Sequence, residues 1–302
     1  MIGGLVEIAE SGRHASVHRG FLKVSEDGRE LGRVPLDDIT ALILSGPQIT
    51  LSKTLLVELA ERKAIVVTCG KNWHPVSLTL PFGTHYETAG VLHDQIEASE
   101  PLRKRLWQRI VQNKIANQKT ALGHHASEST AMAELEVIRK RVKSGDPNNM
   151  EAQAARHYWP ALMGKDFRRD RDAEGSNAFL NYGYTVLRAA TARAVCASGL
   201  HPAIGLHHGS RVNAFALVDD LMEPFRPMVD LIAKELLETS KSVGVLEKRA
   251  LAAVLQADME SENGLSPLNN CLVRLAQSLT ASLAVRKPDL AIASIREPRR
   301  LI

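Results

Sequence analysis

Cysteine is scarce and scattered. Cys69, Cys196 and Cys271 are the three in a chain of 302 residues, and no C-x-x-C pair occurs, which argues against both a disulfide framework and a thiolate zinc site. All three are expected to be reduced core residues, following the burial habit of free cysteine. Long apolar runs are missing too. The longest, such as Ala64 to Thr68 and Leu251 to Leu255, fall far short of the roughly 18 residues a membrane span needs. Met1 to Glu10 lacks the basic segment, long apolar stretch and small-residue cleavage site of a secretory signal, so the expectation is a cytoplasmic protein that does not cross a bilayer. Aromatic residues are few, at 4%, while hydrophobic residues make up 44% and charged residues 24%. That balance is ordinary for a soluble globular protein and sets aside disorder or a fibrous repeat.

What is present divides in two. The length suits one large domain or two of unequal size. Residues 1–90 read as β-rich and sandwich-like: Ala15 to Val24 mixes apolar and polar positions, Glu26-Asp27-Gly28 is turn chemistry, and Ala41 to Leu44 and Ile65 to Cys69 are short buried-strand runs. One helix interrupts them, Lys53 to Arg62, with Leu55, Leu56 and Leu59 at helical spacing and Ser52 as N-cap. Pro81-Phe82-Gly83 closes this part. Residues 91–302 read as a larger, all-α domain. Helices are expected over Pro101 to Leu122, Ser129 to Lys143, Ser176 to Ser198, Val218 to Ser240, Glu247 to Met259 and Pro267 to Val285. Gly145-Asp146-Pro147 resets the chain, with Asp146 as N-cap and Pro147 at the first helical position, so Glu151 falls about one turn into a helix. The fold class is therefore α+β, a β-rich part followed by a helical one.

Net charge is +4 with a pI near 9.0, compatible with a polyanionic partner but not proof of one. Clustering says more. Basic residues gather at Arg103, Lys104, Arg105, Arg109 and Lys114, at Arg139, Lys140, Arg141 and Lys143, and at Arg168, Arg169 and Arg171. Any one cluster is more often a solvated helix face; three in one half make a candidate surface for nucleic-acid phosphates.

Polar residues also stand inside otherwise apolar helical stretches: Glu151 to Trp159, Gly205-Leu206-His207-His208, and Asp219 to Pro227. Asp220 and Glu223 are three apart, so both carboxylates face one side of a helix and could serve one ion, one directly and one as support. Mixed imidazole and carboxylate ligands suit Mg²⁺ or Mn²⁺. Each residue has a plainer reading. Glu151 could complement a helix dipole, His208 could be a surface residue and Glu223 a solvated acid. His74, His124 and His125 are read as ordinary polar positions.

Taken together, the segments resemble one family, the CRISPR-associated integrase of the adaptation module, the Cas-one endonuclease family. Glu151 with its small residues and following aromatic pair looks like the family's glutamate helix. Gly199-Leu200-His201-Pro202-Ala203-Ile204-Gly205-Leu206-His207-His208 resembles its G-L-x-P-x-x-G-x-x-H loop, and Asp220-Leu221-Met222-Glu223-Pro224-Phe225-Arg226-Pro227 its D-L-M-E-x-F-R-P helix. Asn177 to Tyr184 adds to the likeness. Many members carry aspartate where this chain has Glu223; glutamate there, with the His-His pair, looks like the branch accompanying type II CRISPR systems, whose interference nuclease is Cas-nine.

The resemblance implies a metal-dependent DNA endonuclease and integrase that inserts short foreign DNA fragments into a CRISPR array, through attack of a 3′-hydroxyl on a phosphodiester. It implies Glu151, His208 and Glu223 as metal ligands and catalytic residues, with Asp220 in support and His207 as the alternative register for the histidine. Arg103, Lys104, Arg109, Lys114, Arg139, Lys140 and Arg141 would hold DNA backbone. Implied partners are double-stranded fragments, array DNA, a second copy through the β-rich part, the small Cas-two protein, and Cas-nine as a candidate. Two other classes compete: a noncatalytic scaffold that binds DNA ends, and a helical phosphohydrolase of small phosphate esters, which would have little use for several basic helices.

Overall fold

A computed structural model describes residues 4–70, 75–79, 81, 86–125, 130–170, 175–207 and 212–297. Eight strands form the N-terminal part: β1 (Leu5–Ile8), β2 (Arg13–His18), β3 (Phe21–Glu26), β4 (Arg29–Pro35), β5 (Ala41–Leu44), β6 (Ile49–Leu51), β7 (Ile65–Cys69) and β8 (Pro75–Thr79), with α1 (Lys53–Glu61) between β6 and β7. Ala15 to Val24 is a hairpin, not a single run. Arg19 and Gly20 both take positive φ, 48° and 80°, as a two-residue turn between twisted strands demands. Asp27 and Gly28, at 47° and 81°, repeat the device between β3 and β4. Ser52 caps α1, its hydroxyl accepting from the Leu55 amide at 3.3 Å.

These strands make two sheets. One has the order β1-β5-β7-β8, parallel except for β8; the other has the order β4-β3-β2-β6. The pleat explains why Ala41–Leu44 is buried throughout. Leu42, Leu44 and Val66 face the second sheet and α1, packing with Leu22, Leu36, Leu55 and Leu59. Ala41, Ile43, Ile65 and Val67 point the other way and join the large core of the helical part. A sheet with both faces covered reads as a continuous apolar run.

The helical part contains α2 (Thr88–Ile96), α3 (Glu100–His125), α4 (Thr130–Arg141), α5 (Met150–Met163), α6 (Ser176–Ala197), α7 (Ala216–Met222), α8 (Arg226–Leu237), α9 (Val245–Ala252) and α10 (Leu268–Val285). The 26-residue α3, about 39 Å long at the standard rise, buries Leu102, Leu106, Ile110, Val111, Ile115 and Leu122 against its neighbours. Helices α6 and α8 approach closely at Gly183, where a Cβ would lie 2.4 Å from the Val229 side chain. Among the described residues no helix is long and apolar enough to cross a membrane.

Four expectations need correction. The helical part is not purely helical: β9 (Asp258–Ser261), β10 (Gly264–Pro267) and β11 (Ser294–Ile295) form a small antiparallel sheet of order β10-β9-β11. The expected helix over Glu247 to Met259 stops at Ala252, passes through a 3-10 turn and becomes a strand, because Glu262-Asn263-Gly264 closes a tight hairpin with Gly264 at φ 89°. The expected Val218 to Ser240 helix is broken. Pro224 and Pro227 lack the amide hydrogens a continuous ladder needs, and a 3-10 turn at Glu223–Phe225 separates α7 from α8. Finally, α5 starts at Met150, with Asn149, not Asp146, as its N-cap.

Candidate metal centre

That last start is unusual, and it places Glu151. Asp146 and Asn149 both adopt left-handed φ, 48° and 50°, a region these short polar side chains tolerate. Asn149 accepts from the Ala152 amide at 3.2 Å. Asp146 accepts from the Met150 and Glu151 amides at 2.8 and 3.0 Å. Three donors of the first turn are thus satisfied by two side chains, which fixes Glu151 as the second residue of α5.

Glu223 sits in the 3-10 turn between α7 and α8. The buried Asn117 of α3 holds that turn, donating to the Pro224 carbonyl at 2.7 Å while its own oxygen accepts from the Ile295 amide at 2.9 Å. Glu223 is 4% exposed, so its charge needs a partner. It has two. Arg226, one turn on, pairs with Oε1 at 3.1 Å, and the Lys114 ammonium pairs with Oε2 at 2.5 Å. The same ammonium lies 2.5 Å from Oε1 of Glu151. Carboxylates from α5 and the 223–225 turn therefore converge on one cation, supplied from α3. Burial alone would push the Lys114 amine down; Glu223 and Glu151 outweigh it and the net direction is up. The lysine stays charged there at neutral pH.

The loop leading to the histidines is pinned along its length. Gln95 of α2 donates to the His201 and Ile204 carbonyls at 3.0 and 2.8 Å and accepts from the His201 amide at 2.8 Å. Asp220, fully buried, accepts from the Leu206 and His207 amides at 2.6 and 3.0 Å. Asp219 is spent elsewhere, on Arg188 at 2.8 Å and Asn213 at 2.9 Å. The His207 ring stacks on the buried Trp107, centroids 4.5 Å apart and planes parallel. His208 lies outside the described residues.

A second shell of order surrounds Arg226. Its guanidinium lies 4.9 Å from the Tyr184 ring centroid, and Arg169 lies 5.4 Å from the same ring. Tyr184 donates to Asp230, as does Tyr158 at 3.0 Å. Burial pushes Asp230 up to about 6, against the pull of the two hydroxyls and of Arg226 and Lys114.

The basic residues do not form one class. Lys114, expected on a phosphate-binding surface, is inside, where its ammonium offsets the charge of two neighbouring carboxylates. Arg169 clamps α6 through Asn177 at 2.9 Å and Asn181 at 2.7 Å, and Arg171 lies outside the described residues. Arg139 and Lys140 pair with Glu136 at 2.6 and 3.7 Å; Lys104 pairs with Glu100 at 2.7 Å and Arg109 with Asp289 at 3.4 Å. Lys104, Arg105, Arg109, Lys140 and Arg141 are exposed and Arg103 is half-buried. His124 donates from Nε2 to the Arg296 carbonyl at 2.9 Å; His74 lies outside the described residues. The cysteines carry no disulfide: Cys271 is buried, Cys69 and Cys196 half-buried, and burial pushes the latter two thiols up to about 12.

Sequence reading missed the roles of Lys114, Asn117 and Asp230; Asp146 was named as a cap, and its side chain does accept from the first two amides of α5, although Asn149 holds the N-cap position. For Asp230 the available signal was an acid amid Val229 to Ile232; Lys114 stands in the mixed run Ile110-Val111-Gln112-Asn113-Lys114-Ile115, which gives none.

Fold and site together define a class: an α+β protein with a β-rich start and a helical part that buries paired carboxylates around a cation. The chain belongs to the CRISPR associated protein Cas1 family, whose model matches residues 6–256. It is 39% identical over 234 residues to the CRISPR-associated endonuclease Cas1 of Neisseria meningitidis serogroup C (strain 8013), covering 78% of this chain and 76% of that one. The CRISPR-associated endonuclease Cas1 2 of Pyrobaculum aerophilum is 26% identical over 294 residues, 92% and 98% of the two chains. In fold, the chain is similar to a casposase bound to integration product (TM-score 0.80, 20% identity, 95% and 92% covered) and to a Cas1 protein from Thermotoga maritima (TM-score 0.77, 16% identity, 97% and 100% covered). The same fold occurs within a Cas6-RT-Cas1–Cas2 complex (TM-score 0.77, 18% identity, 99% and 36% covered).

Proposed function

We propose that the chain is a metal-dependent DNA endonuclease and integrase of CRISPR adaptation, which joins the 3′-hydroxyl of a short DNA fragment to a phosphodiester of the array. Family membership and the Neisseria relative, named an endonuclease, support the reaction class. The observation that carries the site is the convergence of Glu151 and Glu223 on one cation position, 2.5 Å from each. Two carboxylate donors, Glu223 buried and Glu151 half-buried, already hold a cation and fit Mg²⁺ or Mn²⁺; Glu151 and Glu223 would be ligands, with His208 completing the set. Bound there, such an ion supplies Lewis-acid polarisation of the scissile phosphate and lowers the pKa of an attacking hydroxyl.

The protein's own residues do the rest. Asp146 and Asn149 hold Glu151, Asn117 holds the turn carrying Glu223, and Asp220 orients the backbone up to His207. Such supporting contacts determine how well ligands are pre-positioned. Joining forms one P–O bond and breaks one, so the group transferred needs no external energy source; water in place of the hydroxyl gives hydrolysis. Arg103, Lys104, Arg109, Arg139, Lys140 and Arg141 would neutralise DNA phosphates without reading sequence. Residues 1–90 would mediate a homodimer, with the small Cas2 protein as partner and Cas9 as a further one in the type II branch.

The test is a gel assay with a labelled short duplex, a plasmid bearing a CRISPR array and Mn²⁺ or EDTA, with and without Cas2. Metal-dependent joining, lost in Glu151→Ala, is expected. Binding without joining under every metal, partner and array present, would leave a noncatalytic scaffold.

A further inference from the structure

Lys114 is the feature that the proposed reaction does not by itself require. Its side chain is 12% exposed and touches both carboxylates, whose own exposures are 23% for Glu151 and 5% for Glu223. It is long, belongs to a different helix from either acid, and occupies the point on which both acids converge. With Arg226 on the far oxygen of Glu223, the four groups sum to zero charge. Without the lysine, the described cation left beside the two acids is Arg226, which pairs with Glu223 and not with Glu151, in a site where uncompensated charge is strongly unfavourable.

We propose that Lys114 is a built-in counter-cation, which holds the carboxylate pair together in the metal-free protein and is exchanged for the divalent ion on loading. This rests on the metal-site reading above. An ammonium and a doubly charged ion cannot share contact with the same two oxygens, since their repulsion at that range is large in a partly dry site. Ion entry therefore expels the ammonium, and ion and lysine compete for Glu151 and Glu223. The displaced lysine keeps its charge, and the anion it can take is a phosphate of the DNA that the ion also serves. Lys114 is thus a positioning residue in the metal-free protein and a candidate phosphate contact in the loaded one. Coupling of this kind is reciprocal: what disfavours the ion in the absence of DNA favours DNA once the ion is bound.

Two measurements test the exchange on the full-length protein. The first is Mn²⁺ affinity, read from the electron paramagnetic resonance of the free ion, for wild type, Lys114→Met, Lys114→Arg and Glu151→Gln. Lys114→Met is expected to bind Mn²⁺ about tenfold more tightly than wild type, within the usual range of site coupling, and Lys114→Arg to stay near wild type. The second needs no variant. Acetylation of Lys114 by a water-soluble reagent, followed by mass spectrometry, is expected to rise at least about fivefold when Mg²⁺ is added, against unchanged labelling of Lys104.

Equal Mn²⁺ affinity in wild type and Lys114→Met, with binding lost in Glu151→Gln, overturns the role of the lysine and leaves the metal site standing. Binding that Glu151→Gln leaves untouched overturns the metal site and the exchange with it. If Lys114→Met does not fold, unchanged acetylation of wild-type Lys114 on Mg²⁺ addition overturns the proposal alone.

Discussion

The two parts of the molecule bury very different things. The core between the N-terminal sheets is wholly apolar, from Ile8 and Leu22 to Leu59 and Val66, and Ser25 is the one buried polar residue among those described before Gln95. From Gln95 onward the buried set includes Asn117, Gln118, Asp146, Asn177, Asp220, Glu223 and Asp230. Burying such groups is unfavourable unless each is matched, and most of these lie around the carboxylate pair or the loop that ends at His207. The contrast separates a part built for cohesion from a part that accepts unfavourable burial to fix charged groups in place.

The contrast breaks most sharply at Glu223. Glu223→Ala removes the ion pairs that Glu223 makes with Lys114 and Arg226, and is expected to lower stability by about 3–5 kcal/mol, the range for breaking a buried pair. Metal-dependent joining should fall by more than about a hundredfold. Urea unfolding and the gel assay read the two effects; a variant as stable as wild type would show that these charges are not matched as the distances imply.

Leu22→Ala is the counterpart in the apolar core. It should cost about 2–5 kcal/mol through lost burial and a cavity, yet leave Mn²⁺ affinity unchanged at temperatures where the protein is folded. A shifted affinity would mean that the sheets and the metal site are more tightly coupled than the separation of the cores indicates.

Asp230 sharpens the comparison through pH. Its carboxyl is pushed from 3.8 up to about 6, so the folded state holds more protons than the unfolded one between those values. Stability from this group is full below the unfolded value and is lost as pH rises through about 6. Asp230→Asn should therefore gain up to about 3 kcal/mol relative to wild type between pH 3.5 and 6.5. Chemical denaturation across that range checks it, and a constant difference would sink it.

The smallest effect is expected at the surface. Glu136, held at about 2 by its hydrogen bond from Arg139 and contacts with Lys119, ties α4 to α3. Its contribution is present above the ordinary carboxylate value and lost as pH falls through about 2. Because its side chain is 26% exposed, solvent screens it, and Glu136→Gln should cost less than about 1 kcal/mol. Thermal unfolding at neutral pH measures this, and a larger loss would place Glu136 with the buried charges.

Much of this was legible in the residues. Short apolar runs at Ala41 to Leu44 and Ile65 to Cys69 marked strands, Asp27-Gly28 marked a turn, Ser52 marked the start of α1, and Asn177 to Tyr184 fell on α6. The small C-terminal sheet was not legible, because Leu251 to Leu255 has the spacing of a helix and the Asn263-Gly264 signal is short. Nor was the break at Glu223: the run Asp220 to Pro227 keeps helical periodicity on both sides of two prolines, and spacing alone does not say which carboxylate turns inward.

The sequence by itself determined the two-part α+β organisation, the family, and the acids worth naming, because periodicity, turn chemistry and motif spacing are local properties. Only the tertiary structure decided which charges meet. Lys114, Glu151 and Glu223 lie on three elements, 37 and 109 residues from the lysine, and a basic residue read as surface became the cation at the centre. Which charges share a buried space depends on how helices pack, and packing couples positions that no local pattern connects.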